Sequence, residues 1–153
     1  KQTCPHAVVA IGPAKYNEMY ERTPNLNKLL SWGHAQAIEN VYKVQPCEVA
    51  LSDRFGDERM ILWHLERKGV AIKLESMVRA ESDIAVAAAS ILARAEFLWR
   101  LKRLSDEVGI ELPKGATNVI GTGKKLVEKH GANILRSVAK LHFKTTSQVL
   151  GTQ

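Results

Sequence analysis

Asp53 and Glu81 are the residues whose type and setting best suit chemistry. Each follows an apolar run of strand composition, CEVALSD for Asp53 and VAIKLESMV for Glu81. Open α/β sheets form ligand sites beyond the carboxyl ends of their strands. A carboxylate there can hold a divalent cation while the strand gives it a rigid base. Glu81 also stands just before an Ala-rich helix, whose N-terminal dipole favours an ionised carboxylate. Two alternatives stand beside this reading. Asp53 is placed to cap a helix begun in RFGDERM, and Asp83 competes with Glu81 for metal while being better placed as a helix N-cap. Two strand-end carboxylates make half of a two-metal phosphodiesterase site, in which paired Mg²⁺ or Mn²⁺ ions activate water and stabilise the leaving oxygen.

Other chemistries find little support. His6, His34, His64, His130 and His142 show no paired ligand spacing, which argues against zinc. Ser90 lies inside a helical pattern with no nucleophile elbow. Cys4 and Cys47 form no Cys-x-x-Cys pair, so free thiols and a cytoplasmic setting are expected. GTGKK lacks the leading glycine of a phosphate loop, since Asn118 occupies that position. Gly121 and Gly123 could instead expose backbone N–H groups at a helix start to a phosphate, with Lys124, Lys125 and Lys129 adding charge. Helix-hairpin-helix modules bind DNA in this manner, which gives a second reading: a non-catalytic nucleic-acid-binding module built on Gly121–Lys129. The plain alternative there is a helix capped by Thr122.

The elements that must position these residues alternate between strand and helix patterns. HAVVAIGP reads as a strand ended at Gly12-Pro13, and Pro13 suits the first turn of a helix through Glu21. Asn25 can cap a second helix in which Leu26, Leu29, Leu30, Ala37, Ile38 and Val41 recur at helical spacing. After the strand carrying Asp53, Met60, Ile61, Trp63, His64 and Leu65 mark a helix stopped by Gly69. The helix after Glu81 runs from Ser82 or Asp83 to Val108. Its three consecutive alanines and Ser90 predict close packing against a sheet. GTGKKLVEKHG and ANILRSVAKLH read as short helices joined at Gly131. The pattern predicts a mixed or parallel α/β fold, with residues 1–112 as the body and 113–153 as a small helical appendage of the same domain.

The 153 residues carry a net charge of +6, and its placement is uneven. Residues 1–112 hold 15 basic and 15 acidic side chains, whereas Lys114, Lys124, Lys125, Lys129, Arg136, Lys140 and Lys144 are opposed after Leu112 by Glu128 alone. A one-signed segment of this kind suits a polyanion, nucleic acid first among them. With 45% hydrophobic and 25% charged residues the chain is neither disordered nor collagenous. No apolar run reaches the length of a membrane span, and no motif calls for a small-molecule cofactor.

Several segments together resemble the type 2 ribonuclease H superfamily, and ribonuclease HIII in particular. They are PAKYNEMYERTPNLNKLLSWGHAQAIENV, LSDRFGDER, RAESDIAVAAASILARAEFL, LSDEVGIELPKGA and AKLHFKTT, in the family's order over nearly the whole chain. The resemblance implies an RNase H-like fold and an endonuclease that cuts the RNA strand of RNA/DNA hybrids with Mg²⁺ or Mn²⁺. The family's acidic set is an Asp, a Glu, a second Asp and, in the HIII branch, a Glu. The second Asp would be Asp53 and the last Glu would be Glu81. The stretch between Glu81 and AAAS is shorter than the family pattern, which leaves Asp83 as a substitute. The first two carboxylates belong to an SDEVG-like strand near the start of the catalytic domain. Ser105–Gly109 spells SDEVG, but at the end of the long helix, so Asp106 and Glu107 are read as surface residues. The true motif is expected before Lys1, which is not Met. A fragment with little activity alone is therefore expected, and its shortened sheet would leave an edge able to pair with another chain. The basic residues Lys114, Lys124, Lys125, Lys129, Lys140 and Lys144 would lie along the hybrid.

Overall fold

A computed structural model describes residues 4–115 and 117–152. The order is α1 (Pro13–Arg22), α2 (Leu26–Val44), β1 (Val49–Asp53), α3 (Arg59–Glu66), β2 (Lys73–Met77), α4 (Ile84–Val108), α5 (Val119–His130), α6 (Leu135–Val138) and α7 (Lys144–Leu150). Single 3₁₀ turns at Ala80–Ser82 and Ala132–Ile134 precede α4 and α6. The fold class is the expected mixed α/β one. The chain forms two compact units, one of residues 1–9 and 25–94, the other of 10–24 and 95–153.

In the first unit β1 and β2 pair in parallel, with Val49 opposite Lys73 and Asp53 opposite Met77, and α3 makes the crossover. Parallel pairing needs a connection of this kind, because a tight turn can only reverse the chain. Asn25 caps α2 by accepting the Lys28 N–H at 3.0 Å. Ala35 of α2 packs with Ile61 and Leu65 of α3 and with Val70, flanked by Ile38, Tyr42, Phe55, Ile72 and Leu74. Gly69 ends α3 in the left-handed conformation that favours glycine.

Two expectations fail in this unit. The segment HAVVAIGP forms no strand among the described residues, since strand geometry needs a ladder partner and β1 and β2 pair only with each other. The alanines of α4 are not packed on a sheet: Ala88, Ala89 and Ser90 are exposed. The apolar stripe of α2 is also shifted. Of the set that spacing picked out, Leu29 is buried and Ile38 packs against the core, while the other buried positions of α2 are Ser31, Ala35 and Glu39.

In the second unit Val108, Leu112 and Leu126 form the core with Leu101, Leu104, Ile110, Ile134 and Val138. Asn17 of α1 is buried and reads the backbone of α6 and its exit, donating to the Arg136 and Ala139 carbonyls and accepting the Leu141 N–H. Arg136 adds a two-pronged ion pair to Glu21. Gly131 joins α5 to the following turn, as expected.

Glu39 is the buried charge of the first unit. Lys43 Nζ pairs with it at 2.7 Å, Lys68 Nζ pairs with its other oxygen, and Gln36 donates at 2.9 Å. Hydrogen bonds from Lys43 and Lys68 draw its carboxyl down from the usual 4.5 to about 2. A carboxyl held this low in the folded state binds fewer protons there than in the unfolded chain, so its stabilisation is complete above about pH 4.5 and is lost as pH falls through about 2. In acid unfolding followed by circular dichroism, Glu39→Gln should be less stable than the parent at neutral pH and should lose part of the parent's slope between those limits.

Candidate active site

Asp53 is the last residue of β1 and is exposed. Its position follows from the ladder, because Arg54 N–H still bonds the Met77 carbonyl and carries the pairing to the end of both strands. Arg54 also donates to the Ser76 carbonyl at 2.9 Å, which ties the residue after Asp53 to β2. Beneath Asp53, buried Ser52 donates to the Asp53 carbonyl at 3.1 Å and meets His34 Nδ1 at 3.3 Å. His34 packs on Phe55, with ring centroids 4.6 Å apart. Burial pushes the His34 imidazole below its ordinary value, while the Asp53 charge pulls it back up.

Glu81 reaches the same end of the sheet through a strained turn. Arg79 takes the left-handed conformation, φ 57°, ψ 46°, which few non-glycine residues adopt. The chain thereby reverses just after β2, and the Ala80 N–H points back at Asp53 Oδ1 at 3.3 Å. Glu81 follows in the 3₁₀ turn Ala80–Ser82 and is exposed. Asp83 then caps α4, its Oδ1 accepting the N–H groups of Ala85 at 2.8 Å and Val86 at 3.3 Å. Non-glycine strain of this kind is a frequent mark of a functional turn.

This geometry separates the alternatives that sequence left open. Asp53 is not the cap of the following helix: Asp57 does that work, its Oδ1 accepting the Arg59 N–H at 3.0 Å. Asp83 is the cap that its position suggested. Asp106 and Glu107 are exposed helix residues paired with Lys102 and Arg103 four positions earlier. Cys4 and Cys47 are both free and exposed.

The Gly121–Lys129 reading fails on packing. α5 begins at Val119 after Asn118, so Thr122 is not its cap, and the Thr122 N–H bonds the Asn118 carbonyl. Gly123 is buried where a Cβ would stand 2.6 Å from Val149 Cγ2 of α7. Its lack of a side chain lets the two helices approach there, whereas Gly121 meets nothing within 4 Å. Lys124 and Lys125 are exposed on α5, as are Lys114 in the preceding loop, Lys140 and Lys144. Lys140 lies 4.7 Å from the centre of the Tyr16 ring. Lys129 donates to the Val108 and Gly109 carbonyls at 3.3 Å each and so closes the C-terminal end of α4.

The donors at the sheet end are carboxylate oxygens, hard ligands that match Mg²⁺ or Mn²⁺ rather than softer metals. Among the described residues no group of three or more His, Cys, Asp or Glu side chains converges on a point. Ions of this class bind through one or two carboxylates together with water and substrate phosphate, and Asp53 and Glu81 fit that smaller share.

The parallel β-α-β unit, with Asp53 at the end of β1 and a long helix after β2, is part of an RNase H-like α/β fold, as the solved structures that superpose on it show. The chain belongs to the ribonuclease HII family, whose profile matches residues 2–146. It is 46% identical over 99% of its length to the ribonuclease HIII of Protochlamydia amoebophila and covers 50% of that protein. It is 39% identical to the ribonuclease HIII of Chlamydia pneumoniae, covering 97% of this chain and 51% of the relative. Among solved structures, Bst-RNase HIII in complex with Mn²⁺ superposes with a TM-score of 0.85 at 27% identity, over 94% of this chain and 49% of that one. Aquifex aeolicus RNase H3 gives a TM-score of 0.65 at 30% identity, over 88% and 47% of the two chains. The resemblance to ribonuclease HIII read from the motifs therefore holds over nearly the whole chain. The chain spans about half the length of the curated relatives it matches.

The two acidic residues around the 3₁₀ turn and β1 differ in what they do for stability. Asp83→Ala should cost about 1 kcal/mol through loss of the α4 cap. Asp53→Asn keeps the acceptor for the Ala80 N–H and should leave the unfolding midpoint nearly unchanged. Urea melts of both variants check the contrast.

Proposed function

We propose that this chain supplies part of the active site of a ribonuclease H of type 2, an endonuclease that hydrolyses the RNA strand of RNA/DNA hybrids with Mg²⁺ or Mn²⁺. The observation that carries the reading is the pairing of two elements at one sheet end: Asp53 on β1, and the turn bearing Glu81 held to it through the Ala80 N–H. Membership of the ribonuclease HII family and the Mn²⁺ complex of Bst-RNase HIII support it. Asp53 and Glu81 are the proposed metal ligands and catalytic carboxylates. Asp83, engaged as the α4 cap, is the weaker candidate.

Bound divalent ions supply an activated water and charge stabilisation at the leaving oxygen. The residues of this chain act by placement. The β1–β2 ladder fixes the Asp53 backbone, the Ser52 hydroxyl holds its carbonyl, and the Ala80 N–H limits rotation of its carboxylate. Asp53 and Glu81 alone neutralise only part of the charge that two divalent ions bring, so full activity needs further carboxylates. The exposed lysines 114, 124, 125, 140 and 144 are proposed to grip the hybrid backbone, with Lys129 adding charge while it closes α4. Such contacts are sequence-blind and weaken steeply with salt. A cytoplasmic setting fits two free cysteines. Among the described residues no helix is long and apolar enough to cross a membrane.

The test places this chain in the Protochlamydia amoebophila ribonuclease HIII in exchange for the stretch it matches, and assays an RNA/DNA hybrid with Mn²⁺. We expect cleavage of the RNA strand, lowered by more than about 100-fold in Asp53→Asn, since even outer-shell changes at metal sites cost about 10–100-fold. The isolated chain should cleave poorly or not at all. Cleavage by the hybrid enzyme that ignores Asp53→Asn would refute the site, and robust Asp53-dependent cleavage by the isolated chain would refute the need for further carboxylates.

A further inference from the structure

The buried Ser52 hydroxyl stands between two groups, 3.1 Å from the Asp53 carbonyl and 3.3 Å from His34 Nδ1. A hydroxyl has one proton to give and lone pairs to receive with. Both contacts are hydrogen bonds only if Ser52 donates to the Asp53 carbonyl while His34 Nδ1–H donates to the Ser52 oxygen. The opposite arrangement, with Ser52 donating to a bare Nδ1, sets two oxygens against each other with no proton between them. Burial holds the His34 imidazole below its ordinary value against the upward pull of the Asp53 charge, so in mildly alkaline solution the ring is neutral. A neutral ring carries its proton on one nitrogen, and the geometry here assigns it to Nδ1.

The peptide joining Asp53 to Arg54 is thereby gripped at both of its polar groups. Its carbonyl accepts from Ser52, and its N–H donates to the Met77 carbonyl at 3.1 Å. The Asp53 carboxylate itself has a looser hold, the Ala80 N–H at 3.3 Å. A contact of that length constrains weakly, so the backbone carries the larger share in setting the side chain. His34 can bear this load because it is itself fixed. Its ring packs on Phe55, and its neighbour Ala35 is fully buried in the core of the unit. Groups that hold a metal ligand from behind affect metal affinity almost as strongly as some ligands do.

We propose that His34 is a positioning residue for the divalent-cation site: its Nδ1–H keeps the Ser52 hydroxyl on the Asp53 carbonyl, and so keeps Asp53 in the setting from which its carboxylate binds the ion. The role rests on the reading of Asp53 as a metal ligand. His34 acts through Ser52 and takes no part in the chemistry itself.

Two measurements on the chain test this. Nitrogen-15 spectra of the histidine rings in mildly alkaline buffer, with His34→Phe assigning the signal, should show His34 as the Nδ1–H tautomer; the Nε2–H tautomer would overturn the proposal. Mn²⁺ binding, followed through loss of the free ion's electron paramagnetic resonance signal, should weaken about tenfold or more in His34→Phe and in Ser52→Ala. His34→Phe keeps a ring against Phe55 and removes the donor. His34→Asn, whose amide N–H can stand in for Nδ1–H, should recover most of the lost affinity, which a side chain that merely filled space would not require. The double variant His34→Phe with Ser52→Ala should bind no worse than Ser52→Ala alone, because both changes break one connection. If His34→Phe does not fold, the tautomer and Ser52→Ala decide the matter. Binding that Asp53→Asn abolishes but His34→Phe and Ser52→Ala leave unchanged would refute the role of His34 and leave the metal site standing. Binding indifferent to Asp53→Asn would refute the site reading, and this role with it.

Discussion

Parallel pairing of β1 with β2 is the constraint through which two carboxylates far apart in sequence come to share a sheet end. Register decides the matter, since Asp53 must stand opposite Met77 for the chain leaving β2 to turn back over it. A slip of one residue would send Asp53 to the other face of the sheet. The left-handed Arg79 then converts the end of β2 into the turn that aims the Ala80 N–H at Asp53, with Glu81 the next residue along. The strained residue persists because the ladder on one side and the capped start of α4 on the other both fix where the chain must go. α3 and α2 serve this arrangement from beneath, with Ala35, Ile61, Leu65 and Val70 anchoring the crossover and His34 and Ser52 bracing the end of β1.

Most of the elements around this site could be read from local chemistry. Asn25, Asp83 and Gly69 act where capping rules put them, because a cap depends on a few neighbouring residues. The motif segments likewise identified the family over nearly the whole chain. Long-range packing was less legible. Nothing local marks Glu39 as buried; it is tolerated only because Lys68, distant in sequence, joins Lys43 at its carboxylate. Gly123 looked like a phosphate-binding glycine, and only the arrival of Val149 from α7 explains it. HAVVAIGP had the composition of a strand but no ladder partner among the described residues, and composition alone cannot supply one.

The Ala-rich start of α4 shows a sequence and a structure disagreeing in an informative way. Its composition asks for a sheet packed closely against it, and in this chain that face is open. The basic residues after Leu112 show a milder form of the same lesson. Charge counting picked out Lys129 with the rest, yet its ammonium is engaged with the carbonyls at the end of α4.

The central claim is that Asp53 and Glu81 form one divalent-cation site at the end of β1. Paramagnetic broadening by Mn²⁺ tests it most directly, because it detects even weak and partial coordination in the isolated chain. In a nitrogen-15 correlation spectrum titrated with substoichiometric Mn²⁺, the account predicts that the amides of Asp53, Arg54 and Ala80–Asp83 broaden first, and that Asp53→Asn suppresses the effect. Broadening centred on Asp106 and Glu107, or a diffuse pattern unchanged by Asp53→Asn, would contradict it.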